Sequence, residues 1–228
     1  MCGRFITGNQ AAIEREFAVV KLLWKFEMSY NVAPTQMVPV VRTIDGERNG
    51  LMLRWGLVPF FAKGIPPKYS TINATIEKLE TGPVWRGPWS RGQRCIMPAT
   101  AFYEWHLGAD GNKRPHLIKL ADQDIFGFAA LWERSVKQDG TVVESCALIT
   151  MEGNDLMKQV HNTGANPFRM PALLSREDRE AWLAGSQTQA RSVLRQYPQE
   201  CMVHYEVSTR VNSPKNNDAD LIEPSGET

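Results

Sequence analysis

Metal-binding spacing is the first thing this chain lacks. Its four cysteines, Cys2, Cys95, Cys146 and Cys201, are scattered over 228 residues. No C-x-x-C and no H-x-x-x-H pair occurs, so no zinc site is expected. No apolar stretch approaches 18 residues, so no membrane-spanning helix is expected. Arg4, Glu14 and Arg15 interrupt the apolar residues after Met1, so no secretory signal is expected either. Free thiols then point to a reducing compartment. Linkers, repeats and low-complexity blocks are missing too, so residues 1–228 are expected to form one domain, with an irregular tail from about residue 213. Net charge is only +1, which by itself argues for no partner.

The distribution of charge says more. From Leu51 to Tyr103 seven basic residues face two acids, Glu77 and Glu80. From Leu156 to Arg176 there are three bases and no acid. Segregation of this kind suits a polyanion as well as it suits a solvated face.

Periodicity gives the elements. Gln10 to Val20 reads as a short amphipathic helix with Ile13, Phe17 and Val20 on one face. Strands are expected at 37–43 and 51–58 around an Asp45-Gly46 turn. One strand kinked near Pro98 is expected over 95–107, followed by strands at 116–120, 125–133, 142–151 and 202–208. Ser175 and Asp178 resemble a capping box for a helix through Leu183, and a second helix is expected over 190–197. Strands dominate. The fold class is α+β: a single compact domain around a mostly antiparallel sheet, barrel-like, with flanking helices.

Several residues could carry chemistry. If Met1 is trimmed, Cys2 becomes a 1,2-aminothiol, whose amine condenses with an aldehyde and whose thiol then closes a thiazolidine. An α-amine titrates near about 7.7–8.0, so part of it is unprotonated at neutral pH. Glu104 lies in the run Phe102-Tyr103-Glu104-Trp105, where desolvation favours its neutral form and makes it a candidate acid or base. The bland alternative is a sheet-edge carboxylate paired with a lysine. His161 lies in a polar loop, and a lone histidine is more often structural. Asn73 could bond a ligand or make a turn. Trp85 to Arg94 mixes arginines with aromatics, as single-stranded nucleic acid binders do, although Trp85 and Trp89 are better read as core. Phe60-Phe61 in a proline-rich loop is harder to bury, and could stack on a base or wedge against a duplex end.

Taken together, Met1-Cys2-Gly3-Arg4-Phe5, Tyr30-Asn31-Val32-Ala33-Pro34, Arg54-Trp55-Gly56-Leu57-Val58-Pro59, Ile72-Asn73-Ala74, Arg94-Cys95-Ile96-Met97-Pro98-Ala99, Phe102-Tyr103-Glu104-Trp105, His161-Asn162-Thr163 and Arg169-Met170-Pro171 resemble the SOS response-associated peptidase (SRAP) family. The ordered set runs from residue 1 to about 224. The resemblance implies binding of single-stranded DNA and covalent attachment to abasic sites, with Cys2 as nucleophile after removal of Met1. It implies that Asn73 holds the sugar or the terminal amine. Glu104 would be the acid-base catalyst, and His161 would assist Schiff-base formation or ring opening. Arg4, Arg86 and Arg169, with Phe60 and Phe61, are the implied DNA contacts. No cofactor or metal is implied. A monomer is expected, in the cytoplasm and on the nucleoid when bound to damage, or in the nucleus of a eukaryote. Associated lyase chemistry and self-reversal are also implied. A cysteine peptidase acting on itself or on other proteins, and a non-catalytic binder of modified DNA, are the alternatives. One departure stands out: the family commonly reads Asn-Ala-Arg-x-Glu, and this chain has Thr75 in place of that arginine, which predicts weaker DNA binding or a shallower salt dependence.

Overall fold

The computed structural model describes residues 2–225. The chain opens with strand β1 (Phe5–Ile6), helix α1 (Gln10–Glu16) and strands β2 (Lys21–Leu23), β3 (Met37–Ile44), β4 (Glu47–Trp55) and β5 (Asn73–Thr75). Helix α2 (Arg86–Ser90) leads to β6 (Arg94–Ala99), β7 (Ala101–Leu107), β8 (Lys113–Leu120), β9 (Phe126–Val136) and β10 (Val142–Glu152). Helix α3 (Asp155–Val160), β11 (Arg169–Pro171), β12 (Leu173–Leu174), α4 (Asp178–Leu183), α5 (Gln187–Ser192) and β13 (Met202–Glu206) complete the order.

Five strands close a barrel. β10 runs parallel to β4, and the remaining contacts, β4–β3, β3–β6, β6–β9 and β9–β10, are antiparallel. This is a single compact α+β domain with few helices. Apolar side chains fill the barrel, and β6 is buried along its whole length because α4 covers its outer side. There the indole N–H of Trp182 donates to the Cys95 carbonyl at 2.8 Å. A second sheet, ordered β1-β7-β8-β13, lies beside the barrel.

Local chemistry explains most of the boundaries. The β3–β4 hairpin turns on Asp45 and Gly46, both at positive φ (51° and 78°), a two-residue turn whose twist matches the strands it joins. β4 therefore starts at Glu47, earlier than expected, and ends at Trp55, where Gly56 takes φ 117°. The first helix is shorter than its periodicity predicts. Ala18 at φ 48° breaks it, and Val20 is 63% exposed instead of sharing the buried face of Ile13 and Phe17. The expected strand over 95–107 is two strands, β6 in the barrel and β7 in the second sheet, divided at Thr100. Ser175 and Asp178 do bond, at 2.5 Å, but α4 has no side-chain cap. The capping box belongs to α5, between Ser186 and Gln189, so that helix starts at 187 and ends before Tyr197.

The tail is also more ordered than its polarity suggests. Leu221 is fully buried with Ile6, Tyr103, Val207 and Val211 in a second apolar cluster. Asn31 reaches back to it, its amide nitrogen lying 2.9–3.1 Å from the carbonyls of Val211, Ser213 and Asn216. Residues 226–228 lie outside the described part of the chain.

Candidate functional site

The N-terminus is threaded into the protein. Phe5 is the anchor: it is fully buried, its ring meeting Trp55 edge-on at 5.3 Å and Phe128 at 5.9 Å. β1 pairs with β7 so that Phe5 lies opposite Phe102. Three residues upstream, this docking buries Cys2 to 1% exposure. Trimming of Met1 concerns a residue outside those described.

Three elements bring partners to Cys2. β5 lies parallel to β10 with Asn73 beside Leu148, and the Asn73 amide donates to the Cys2 carbonyl at 2.9 Å. The Asn73 Oδ1 is buried and has no hydrogen-bond partner among the described residues. β7 supplies Glu104, 2% exposed and near enough to the Cys2 thiol to raise its pKa. The end of α3 supplies His161, 4% exposed, with Nε2 3.7 Å from the Glu104 carboxylate. The backbone of Arg169 brackets the other ring nitrogen, its carbonyl at 3.1 Å and its N–H at 3.2 Å. Next in sequence, Asn162 forms a reciprocal amide pair with Leu107 at 2.7 and 3.0 Å. That pair ties the histidine loop to the strand that carries Glu104.

Burial sets the protonation states. It pushes the Cys2 thiol well above its ordinary range, and the nearby Glu104 carboxylate adds to the effect. It raises Glu104 to about 7 and lowers His161 to about 4, since each loses water around its charged form. At neutral pH the site therefore holds a neutral thiol, a neutral imidazole and a carboxyl group close to half-protonated. A group poised near the working pH can both give and take a proton.

A depression of about 340 Å³ opens over this centre, lined by Glu104, Trp105, Lys113, His161, Thr163 and Gly164. Trp105 and Lys113 were not singled out from the sequence. Trp105 could have been, as the residue beside Glu104. Lys113 gives no local signal, because only the β7–β8 register, in which it faces Leu107, brings it to the rim.

The expected DNA contacts are placed unequally. Phe60 and Phe61 are exposed, 57% and 51%, stacked edge-to-face at 5.5 Å. One buried hydroxyl fixes their loop: Ser135 accepts from the Gly64 N–H at 2.7 Å and donates to the Pro59 carbonyl at 3.0 Å. Ser135 pairs with Val143 on β10, five residues before the Leu148 that flanks Asn73. Those five residues span roughly 16 Å of strand. Arg4 is half-buried and donates to the Asn212 carbonyl at 3.1 Å. Arg86 is exposed on α2 and lines a different shallow depression, with Trp89 and Gln187. Arg169 is committed inside the protein: it forms a two-pronged ion pair with Glu77 at 2.7 and 2.9 Å and donates to the Thr150 carbonyl at 2.8 Å. Trp85 and Trp89 are core, 8% and 1% exposed. Thr75 is partly buried on β5 opposite Thr150, and Lys78 is exposed just beyond it.

Among the described residues no group of three His, Cys, Asp or Glu is set to hold a metal ion, and no helix is long and apolar enough to cross a membrane.

A small closed barrel that brings Cys2 beside Asn73, Glu104 and His161 sets the class of protein to be compared. The profile of that class, described as SOS response associated peptidase (SRAP), matches residues 1–214, and the chain belongs to the SRAP family. It is 38% identical over 230 residues to the abasic site processing protein YoqW of Bacillus subtilis, covering 98% of this chain and 99% of that one. It is 27% identical to the abasic site processing protein HMCES of Xenopus tropicalis, over 85% of this chain and 65% of the other. A crystal structure of a protein from Bacteroides thetaiotaomicron shares the fold, with a TM-score of 0.84 at 23% identity over 99% of this chain and all of that one.

Proposed function

We propose that this chain processes abasic sites in single-stranded DNA, attaching to them covalently through Cys2 once Met1 has been removed. The convergence of Cys2, Asn73, Glu104 and His161 on one buried point carries this reading. The names of the relatives support the substrate.

Abasic deoxyribose is mostly a closed hemiacetal. Glu104, protonated, delivers a proton to the ring oxygen while the anomeric hydroxyl gives one up, and the aldehyde is exposed. Glu104 takes up the proton from the anomeric hydroxyl; the Cys2 amine adds to the carbonyl carbon, and Glu104 protonates the carbinolamine hydroxyl, which leaves as water to give an iminium ion. The Cys2 sulfur then adds to that carbon, its proton passing to Glu104. Aldehyde and aminothiol have become a thiazolidine plus one water. Asn73 holds the Cys2 carbonyl, and its Oδ1 remains to accept from the amine or a sugar hydroxyl. His161, kept neutral, stands behind Glu104 as its proton partner. Without the sulfur the iminium can instead drain by β-elimination, which cuts the strand.

A peptidase would need the thiol activated by a base. Here burial holds the thiol neutral, and His161 Nε2 faces Glu104, which favours amine-first chemistry. Incubation with single-stranded DNA carrying one abasic site, followed by a denaturing gel, tests the reading. A stable shifted band that Cys2→Ala abolishes is expected, from protein whose intact mass shows Met1 gone. No band from such protein, or a band unchanged by Cys2→Ala without strand cleavage, would refute it. Peptide cleavage lost in Cys2→Ala would favour the peptidase.

A further inference from the structure

The outer part of the second sheet carries three of the chain's four histidines. His106 is on β7, His116 on β8 and His204 on β13. β8 lies between the other two, so the rings stand side by side. His116 and His204 face each other through their Nδ1 atoms, 3.2 Å apart, with ring centroids 5.3 Å apart and planes inclined at 40°. His106 packs its ring against His116 at 5.8 Å and 74°, and its own Nδ1 lies 2.9 Å from the Gln159 carbonyl.

We propose that His116 and His204 form a two-histidine chelate for a divalent first-row transition ion of the zinc, nickel or copper type. Zinc–imidazole bonds are about 2.0–2.1 Å, so two of them at a tetrahedral angle hold the nitrogens about 3.3 Å apart. The observed separation needs almost no adjustment. An N–H···N hydrogen bond at this length would lie at the long end of its range.

The surroundings favour the ion. Arg114, the cation on the neighbouring part of β8, is drawn onto Asp110 and lies 3.8 Å from Glu206. Glu206, shared with Arg114, faces His116 directly across the β8–β13 ladder, so a carboxylate lies on the same face as the two imidazoles. Water fills the remaining coordination positions, and imidazole ligands select borderline ions over magnesium. Spacing in the sequence hides the pair, because 88 residues separate its members. The chelate stands one strand away from Glu104, which pairs with His116 across β7–β8, and does not depend on the function proposed above.

Calorimetric titration of the full chain with Zn²⁺ tests this. One equivalent should bind, and Mg²⁺ should give no heat. His204→Ala should weaken zinc binding at least tenfold. His204 is exposed, so the variant should fold, and His116→Ala provides a second check. Cobalt(II) should give weak visible bands without a thiolate charge-transfer band. Absence of zinc binding, unchanged affinity in both variants, or a cobalt–thiolate band placing the ion on a cysteine would overturn the assignment.

Discussion

Replacing Glu104 by glutamine removes a charge and leaves the shape. Its consequence for stability can be worked out with its sign. The carboxyl has an ordinary value of 4.5 in the unfolded chain and about 7 in the fold. Between those values the unfolded state gives up its proton while the folded state keeps it. The stability this carboxyl contributes is therefore full below about pH 4.5 and is lost as pH rises through 7. At about 1.4 kcal/mol per pH unit the loss is about 3 kcal/mol. His161 acts in the opposite direction: lowered to about 4, it favours the fold above its ordinary 6.5 and that contribution is lost as pH falls. It is present in both proteins, so the difference between wild type and Glu104→Gln isolates the carboxyl. Urea denaturation at pH 5 and pH 8 measures it. Relative to wild type, the glutamine variant should gain about 2–3 kcal/mol between those values. A difference that stays flat would mean that Glu104 titrates normally and is not the poised acid proposed here. Abasic-site crosslinking by the variant should slow by about 10²–10⁴-fold, the usual worth of a positioned proton donor.

Other perturbations probe the scaffold and the DNA surface. Phe5→Ala should cost about 3–5 kcal/mol, read as a lower denaturation midpoint, and should also slow crosslinking because Cys2 loses its anchor. Glu77→Gln should loosen its hold on Arg169. If that arginine contacts phosphate, single-stranded DNA binds more tightly and the slope of log K against log salt steepens by about 0.7, whereas unchanged binding assigns Arg169 to the protein interior alone. Phe60→Ala and Phe61→Ala should leave the melting temperature near wild type, as both rings are exposed. Each should weaken single-strand binding by about 1–3 kcal/mol if its ring stacks on a base, and fluorescence anisotropy reads the change.

Much of this could be read from local pattern, and the failures share a cause. The Asp45-Gly46 hairpin was legible because a two-residue turn writes its requirement into adjacent residues. A barrel-like sheet was expected and is found, but the pair that closes it was not legible, since β10 meets β4 in parallel through Ser145 and Cys146, residues with no signal of their own. The 95–107 segment reads as one strand because apolar character continues through Thr100. Only the division between two sheets reveals the break. Tail polarity concealed one decisive apolar residue, Leu221. Among the site residues, Cys2, Asn73, Glu104 and His161 come together as expected, but the reasons lie elsewhere: Asn31 and Asn162 look like ordinary loop residues and are the amides that fix the tail and the histidine loop. Arg169 is the residue whose partners the sequence hides. The family resemblance implies a phosphate contact, and in the free protein its side chain is held by Glu77 and the Thr150 carbonyl.

The neutral thiol gives an order to the proposed chemistry. Activated cysteines usually depend on a lowered pKa, and burial beside Glu104 does the reverse to Cys2. A thiol held neutral is a poor first nucleophile toward an aldehyde or a peptide. It is sufficient as a second nucleophile, because an iminium carbon formed on the same residue is a strong electrophile held within ring-closing distance, and closure is intramolecular. The fold then needs only an unprotonated amine and an acid that works near neutrality. An α-amine supplies the first near about pH 7.7–8.0 without special tuning, and Glu104 at about 7 supplies the second. Crosslinking should therefore peak between those two values and fall on both sides, where either the amine is charged or the carboxyl is empty. The same burial that makes Cys2 a weak general nucleophile would spare it from reacting with other electrophiles until an aldehyde has already condensed with its own amine.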